Sequence, residues 1–173
     1  GHGTAAYFGL EKEVDIQLGT LSKSLGSVGG YVAANSTIID YLVNTSRSFI
    51  FSTALSPADI GAALAALHIL ESDVSVLRRL HENVNYMADQ LISMGINATN
   101  ETPIFPILIG RNEDTLAVSN YLYEAGIIGT AIRPPTVPIG ESRIRLTVTA
   151  AHNKEQIDYV CQSLHNAMKQ LES

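Results

Sequence analysis

The stretch GTLSKSLGSVGGYVA, Gly19 to Ala33, determines how the rest of the chain is interpreted. It contains a single charged residue, Lys23, among glycines, serines and a threonine. A phosphate-binding P-loop requires a glycine directly before its lysine and another glycine further upstream. Ser22 precedes Lys23 here, so the P-loop interpretation fails. A solvated surface lysine and a covalent catalytic lysine remain as interpretations.

The residues around Lys23 suit a covalent role. Small residues allow a bulky ligand to approach the backbone closely, and Thr20, Ser22 and Ser24 offer hydroxyl groups to a phosphate. A lysine that forms a Schiff base needs such a setting, because partial desolvation helps the amine to lose its proton while the cofactor is anchored by its phosphate. The residues alone leave both interpretations open.

Composition and charge limit the partners to be expected. The 173 residues suit one domain or one and a half, and 46% apolar residues can supply a core. A net charge of −6 without a basic run argues against nucleic acid and anionic membranes as partners. The charge-free runs at 24–39 and 60–70 are respectively glycine-rich and too short to cross a bilayer. Cys161 is the only cysteine, so a cytoplasmic location is expected. The histidines lack the spacing of a metal site, and no metal is expected.

The first part of the chain is predicted to combine short strands with a long helix. Strands are expected at residues 14–18, 31–34 and 48–52. Ser56 should cap a helix, with Pro57 in its first position and Asp59 completing a capping box. Apolar residues at helical spacing continue until Gly95, with a bend expected near 72–73.

The second part predicts a small α/β unit. Its expected elements are a strand at 104–109, a helix capped by Asn112 and running through Ala125, an extended run at 127–132, a strand at 143–148 and a last helix opened by Asn153 with Gln156. In the strand RIRLTV, the alternation places Ile144, Leu146 and Val148 on a core face, and Arg143 and Arg145 on the opposite face.

Three motifs in order resemble one family. GTLSKSLGSVGGYVA, FIFSTALSP and AIRPPTVPIGESRIRLTVTAAH are similar to segments of the α-oxoamine synthases. These are pyridoxal-phosphate (PLP) enzymes of fold type I that condense an amino acid with an acyl-CoA and release CO₂. The resemblance implies an α/β fold: the C-terminal part of the PLP-dependent transferase fold type I large domain, plus a small α/β C-terminal domain. It places the later part of the large PLP-binding domain at 1–72, a connecting helix at 73–95 and the small domain at 96–173.

The resemblance also implies roles for individual residues. Lys23 matches the lysine that holds the cofactor covalently, and it is implied to remove the substrate's α-proton as a general base. Thr20 matches the threonine that binds the PLP phosphate. Ser52 and Thr53 match a pair that reaches the phosphate from the neighbouring subunit, which implies a homodimer with a shared active site. Arg145 matches the arginine that binds the amino acid's carboxylate.

The resemblance leaves the substrates open. RPPTVP favours a biotin-pathway enzyme that uses alanine and a pimeloyl thioester, whereas TLSKSLGSVGGYVA also suits an enzyme that uses glycine and acetyl-CoA. The family's Asp-x-x-His-Gly stretch, which supports the PLP ring, is not found in the chain; His2-Gly3 only mimics its end. The chain is therefore expected to be a C-terminal fragment that is inactive alone. A non-catalytic domain fragment is the remaining alternative.

Overall fold

The computed structural model describes residues 2–171 and divides into two compact units, 1–74 and 75–173. The first unit contains helices α1 (Thr4–Tyr7), α2 (Ser36–Thr45), α3 (Arg47–Ile50) and α4 (Pro57–Ser72), and strands β1 (Ile16–Thr20) and β2 (Gly30–Ala34). The second contains α5 (Val74–Ser93, beginning at the boundary), α6 (Asn112–Glu124), α7 (Lys154–Leu171), β3 (Ile104–Gly110), β4 (Thr130–Ile132) and β5 (Ser142–Thr147).

In the first unit, β1 and β2 form an antiparallel pair whose register joins Thr20 to Gly30. The predicted strands at 14–18 and 31–34 are thus found, the first displaced by two residues. Apolar side chains in this unit remain largely exposed. Among its described residues, Ala63 of α4 is the only one that is buried.

The strand predicted at 48–52 is wrong, because this segment forms the short helix α3. Ile50 N–H donates to the Ser46 carbonyl, and Phe51 N–H donates to the Arg47 carbonyl. The Arg47 guanidinium also lies 5.4 Å from the Phe51 ring centroid, which is one turn further along. These local contacts override the strand preference of the aromatic and β-branched residues.

Helix α2 was not predicted, although its N-cap is readable in the sequence. Asn35 Oδ1 accepts a hydrogen bond of 3.0 Å from Ile38 N–H, which is the usual role of asparagine before a first helical turn. The predicted start of α4 is confirmed: Ser56 Oγ accepts from Asp59 N–H and donates to Asp59 Oδ2 at 2.7 Å. The predicted interruption is also confirmed, since α4 ends at Ser72.

The second unit has a three-stranded antiparallel sheet in the order β3-β5-β4. Phe105 lies opposite Leu146, and Ile107 lies opposite Ile144. These four side chains are buried against apolar residues of α5, α6 and α7, so all three helices cover the same face of the sheet. The predicted burial of Ile144, Leu146 and Val148 is confirmed.

Two helix starts in this unit differ in how well they were predicted. Asn112 is not the N-cap of α6: Arg111 occupies that position, and Asn112 Oδ1 accepts from Ser142 Oγ at 2.6 Å. The Ser142 hydroxyl is buried and needs an acceptor, which explains the difference. At α7 the prediction is confirmed, because Asn153 and Gln156 exchange reciprocal side-chain to backbone hydrogen bonds.

No single helix within residues 2–171 is both long enough and apolar enough to cross a membrane. The consecutive helices α4 and α5 reach that length and apolar character only when taken together, as a bent pair.

Candidate functional site

Lys23 lies on a closed loop between the two strands of the first unit. β1 ends at Thr20 and β2 begins at Gly30. Leu21 N–H donates to the Gly29 carbonyl, and Ser27 N–H donates back to the Leu21 carbonyl, both at 2.9 Å. The loop is therefore closed at its base by backbone hydrogen bonds. Lys23 itself is exposed and has no ion pair or side-chain hydrogen bond among the described residues.

Glycines at two positions allow this loop to form. The ring of Tyr31 on β2 lies over Gly19, and it occupies the space that a Cβ atom at Gly19 would need. Gly29 has φ +106°, and a Cβ atom there would come within 2.8 Å of Leu55 Cδ1. The left-handed backbone at Gly29 disfavours any larger residue, whereas a Cβ atom at Gly19 would require the end of the Tyr31 side chain to move. The glycine-rich pattern of the sequence thus has a steric cause at Gly19 and Gly29.

Hydroxyl groups cluster at the mouth of the loop. Thr20 Oγ1 and Ser22 Oγ lie 2.8 Å apart and share a hydrogen bond. Thr20 Oγ1 also accepts from Ser22 N–H at 3.2 Å and donates to the Gly29 carbonyl at 3.3 Å. The structure therefore brings Thr20 and Lys23 together on one loop. Ser22, one of the hydroxyl groups that the sequence offers to a phosphate, lies beside Thr20.

The loop is attached to the start of α4. Ser27 Oγ donates to the Asp59 carbonyl at 2.6 Å, a contact between residues 32 positions apart. Asp59 is also the residue that Ser56 caps. The loop that carries Lys23 is thereby fixed to the first turn of a 16-residue helix.

Ser52 and Thr53 lie in the connection between α3 and α4. Both are exposed, and neither has a hydrogen-bond partner within residues 2–171. Leu55, shortly after them, contacts Gly29 of the Lys23 loop. The connection thus passes beside this loop, and the hydroxyl groups of Ser52 and Thr53 remain available to a ligand.

The two arginines of β5, in the second unit, have different surroundings. Arg143 Nη2 forms a salt bridge of 2.9 Å with Glu141 Oε2, and its Nε donates to the Glu141 carbonyl. Arg145 is exposed and forms no salt bridge or side-chain hydrogen bond in the described part of the chain. Its neighbours in the sheet register are Pro106 on β3 and Thr130 on β4. The guanidinium of Arg145 is therefore the one available to a ligand.

Shifted pKa values occur elsewhere in the second unit. Burial raises the pKa of the Cys161 thiol to about 11, and the charge of Asp158 adds to this effect. The pKa of Tyr86 is raised because its hydroxyl donates a 2.7 Å hydrogen bond to Asp158. Within residues 2–171, no group of three or more His, Cys, Asp or Glu side chains is placed to hold a metal ion.

The arrangement in the first unit can bind an aldehyde that carries a phosphate. The exposed amine of Lys23 can add to a carbonyl carbon. The hydroxyl groups of Thr20 and Ser22, 2.8 Å apart, can donate to phosphate oxygens once they rotate away from their bonds to each other and to the Gly29 carbonyl. Arg145 can bind a carboxylate through two parallel hydrogen bonds. The Lys23 amine and the two hydroxyl groups suit the cofactor that the three sequence motifs imply. The Arg145 guanidinium suits the carboxylate of the amino acid that they imply.

Comparisons with known proteins agree with this chemistry. The family described as aminotransferase class I and II matches residues 1–164. The chain is 42% identical over 172 residues to 8-amino-7-oxononanoate synthase of Thermoanaerobacter pseudethanolicus. It is also 42% identical over 173 residues to 8-amino-7-oxononanoate synthase 1 of Bacillus velezensis. Each match covers 99% of this chain and 44% of the relative, so the chain spans less than half the length of these curated relatives.

Solved structures show the same relationship. Serine palmitoyltransferase from S. paucimobilis, with a bound PLP–myriocin adduct, matches with a TM-score of 0.92 and 26% identity. The match covers 99% of this chain and 44% of that chain. The mixed α/β architecture is thus that of the PLP-dependent transferase fold, and the resemblance drawn from the three motifs is confirmed. The chain belongs to the aminotransferase class I and II family.

Proposed function

We propose that these residues carry the cofactor lysine and the carboxylate-binding arginine of a PLP-dependent acyltransferase. The observation that carries this proposal is the exposed Lys23 on a loop that contains the left-handed Gly29, beside the paired hydroxyl groups of Thr20 and Ser22. The names of the relatives support the 8-amino-7-oxononanoate synthase reaction. The family resemblance implies that this is the biotin-pathway reaction, with alanine and a pimeloyl thioester as substrates. The enzyme of the relatives' length that contains these residues is called the full-length enzyme below.

PLP is the proposed cofactor. When bound, it withdraws electrons and so stabilises negative charge at the α-carbon of an attached amino acid. Lys23 would hold the cofactor covalently, and Thr20 and Ser22 would donate hydrogen bonds to its phosphate. Ser52 and Thr53 would reach the phosphate in a second copy of the chain, which accords with their exposure and free hydroxyl groups.

Lys23 and Arg145 would act on different groups of the amino acid. Arg145 holds the carboxylate through two charge-assisted hydrogen bonds and so fixes the orientation of the α-carbon. With the cofactor bound, the Lys23 amine would remove the proton from that α-carbon. No carboxylate lies within salt-bridge distance of Lys23 among the described residues, so no ion pair has to be broken before its side chain engages a ligand.

The proposal extends to the whole enzyme. Residues 1–72 would be the later part of the large PLP-binding domain, 73–95 a connecting helix and 96–173 the small C-terminal domain. The full-length enzyme would be a cytoplasmic homodimer whose active sites include residues of both subunits. Glycine with acetyl-CoA, as in 2-amino-3-ketobutyrate CoA ligase, is the alternative substrate pair.

Covalent capture of the cofactor tests the proposal. The chain is mixed with PLP, reduced with borohydride and digested, and the modified lysine is located by mass spectrometry. Modification concentrated at Lys23, with a visible absorbance that Lys23→Ala removes, supports the proposed site. Lys12→Ala is the matched control, because Lys12 is an exposed lysine of the same unit. Equal modification of Lys12 and Lys23, in both the chain and the full-length enzyme, would overturn the assignment.

A further inference from the structure

Asn83 makes two hydrogen bonds to the turn that follows β5. Asn83 lies on α5 and is half-buried. Its Nδ2 donates to the Thr149 carbonyl at 3.0 Å and to the His152 carbonyl at 2.8 Å. One side-chain amide thus uses both of its hydrogens on two carbonyl groups of the same turn. These contacts join residues 66 and 69 positions apart.

The turn is held internally as well. Thr149 N–H donates to His152 Nδ1 at 3.1 Å, and His152 N–H donates to the Thr149 carbonyl at 3.3 Å. Ala151 N–H donates to Thr149 Oγ1 at 3.3 Å. The turn is therefore one bonded unit, and Asn83 is its attachment to α5.

The turn lies directly after the strand that carries Arg145. Arg145 precedes Thr149 by four residues, ~13 Å along an extended chain. Between them, Val148 N–H donates to the Pro103 carbonyl at 2.9 Å. Arg145 alternates with the buried Ile144 and Leu146, so a one-residue slip of β5 would turn its guanidinium to the other face. The bonds of Asn83 to the turn therefore add to the pairings with β3 and β4 in fixing where the guanidinium lies.

We propose that Asn83 is a positioning residue that holds the end of β5, and with it the Arg145 guanidinium, in place for the amino acid's carboxylate. The inference rests on the proposed function, because it takes Arg145 as the carboxylate ligand. Asn83 does not touch the substrate; it acts through the turn at 149–152. Recognition of a carboxylate by a guanidinium depends on geometry, so a loosened strand end weakens it.

Asn83→Asp tests the inference in the full-length enzyme. The substitution keeps the size of the side chain, but it replaces the NH2 group and its two N–H donors with one carboxylate oxygen that faces two carbonyl oxygens. We expect amino acid affinity, measured from the cofactor's absorbance, to fall about tenfold, as the loss of two hydrogen bonds implies. Acyl-CoA and PLP affinities should change far less.

Asn85→Asp is the matched control. Asn85 lies on the same helix and is exposed, and its Oδ1 accepts from Asn100 Nδ2 at 2.8 Å, a bond that aspartate can still accept. Asn83→Gln retains the two donors on a longer side chain and should recover part of the affinity. Asn83→Gln also allows the inference to be tested if Asn83→Asp fails to fold. Amide exchange at Val148 and Thr149 should become faster in Asn83→Asp and remain unchanged in Asn85→Asp.

The double variant Asn83→Asp/Arg145→Lys separates positioning from a general structural role. If Asn83 acts through Arg145, the double variant should bind the amino acid no more weakly than Arg145→Lys alone. Additive losses, or equal losses of amino acid, acyl-CoA and PLP affinity, would overturn the inference. So would normal amino acid affinity in Asn83→Asp while Arg145→Lys is impaired. Normal affinity in Arg145→Lys would instead overturn the proposed function of Arg145, and the inference with it.

Discussion

At the residue scale, the two arginines of β5 show how local geometry selects one ligand. Arg143 and Arg145 alternate with the same buried side chains and lie on the same face of the sheet. Glu141 neutralises Arg143 at 2.9 Å, whereas Arg145 has no such partner in the described residues. A guanidinium already paired with a carboxylate must lose that pair before it binds another. The geometry therefore favours Arg145 as the substrate ligand.

This difference predicts unequal effects of the same substitution. Arg145→Lys in the full-length enzyme should weaken amino acid binding by about 1.5–3 kcal/mol, since lysine cannot form two parallel hydrogen bonds with a carboxylate. Arg143→Lys should have a far smaller effect, because lysine can still pair with Glu141. Titration with the amino acid, followed through the cofactor's absorbance, measures both. Equal affinities for the two variants would show that the carboxylate is held elsewhere.

Cys161 gives a second prediction at this scale. The thiol is 4% exposed, and burial raises its pKa to about 11. Because the thiolate is the reactive form, a pKa raised from 9.0 to about 11 lowers its population about 100-fold at neutral pH. Maleimide labelling of the native chain at pH 7 should therefore be at least about 100-fold slower than labelling of the urea-unfolded chain. Comparable rates would mean that the core around α7 opens readily.

The same pKa shift predicts how stability depends on pH. The folded state favours the neutral thiol, so this contribution is fully present below pH 9 and is lost as pH rises from 9.0 to about 11. Unfolding of the second unit should become easier over that interval. Cys161→Ala should remove the part of this pH dependence that comes from the thiol, although it leaves a small cavity. Urea unfolding at pH 8 and pH 10.5 measures the difference.

At the scale of elements, the loop between β1 and β2 depends on Gly29, which a residue with a side chain cannot replace without strain. Gly29 combines a left-handed φ with a contact to Leu55, so Gly29→Ala should distort the loop that carries Lys23 at a cost of about 1–3 kcal/mol. In the full-length enzyme, PLP affinity should fall accordingly. Gly61→Ala is the control, because Gly61 lies within α4 and the Cβ atom of an alanine there would have no other group within 4 Å. Equal PLP titrations for the two variants would contradict this account.

Elements with strong local signals were predictable from the sequence. The alternation in RIRLTV predicted β5 and its buried face, and Asn153 with Gln156 predicted the start of α7. Both signals arise from residues close in sequence. The strand expected at 48–52 was wrong because backbone bonds and the Arg47–Phe51 contact decide its conformation, while its composition favours a strand.

Some features of the candidate site could likewise be predicted from the sequence, and others could not. The motif around Lys23 indicated Lys23 and Thr20 as site residues, and their roles stay predictions. The bond from Ser27 to Asp59 joins residues 32 positions apart, and no local pattern could indicate it. The pairing of Arg143 with Glu141 depends on side-chain conformation, which the alternation of β5 does not specify. Asn83 likewise depends on a tertiary contact with the turn at 149–152.

At the scale of the whole molecule, the two units differ in how many apolar residues they bury. The second unit has a continuous core of helix and strand residues that includes Phe105, Met87 and Leu164. The first unit, within its described residues, buries only Ala63. Leu18 is 81% exposed, and Phe51 is 76% exposed. Exposed apolar surface of this extent is typical of an interface with other protein.

This distribution predicts that the 173-residue chain associates in solution as a dimer or a larger species. Burial of apolar surface is worth about 25 cal/mol per Å², so contact between first units should be favourable. Leu64→Ser, on the exposed side of α4, should weaken association. Ile139→Ser is the control, because Ile139 is 94% exposed in the second unit, outside the first unit's apolar surface. Light scattering over a wide concentration range measures the mass of each variant. A monomer at every concentration, or equal effects of the two substitutions, would show that the first unit does not drive association.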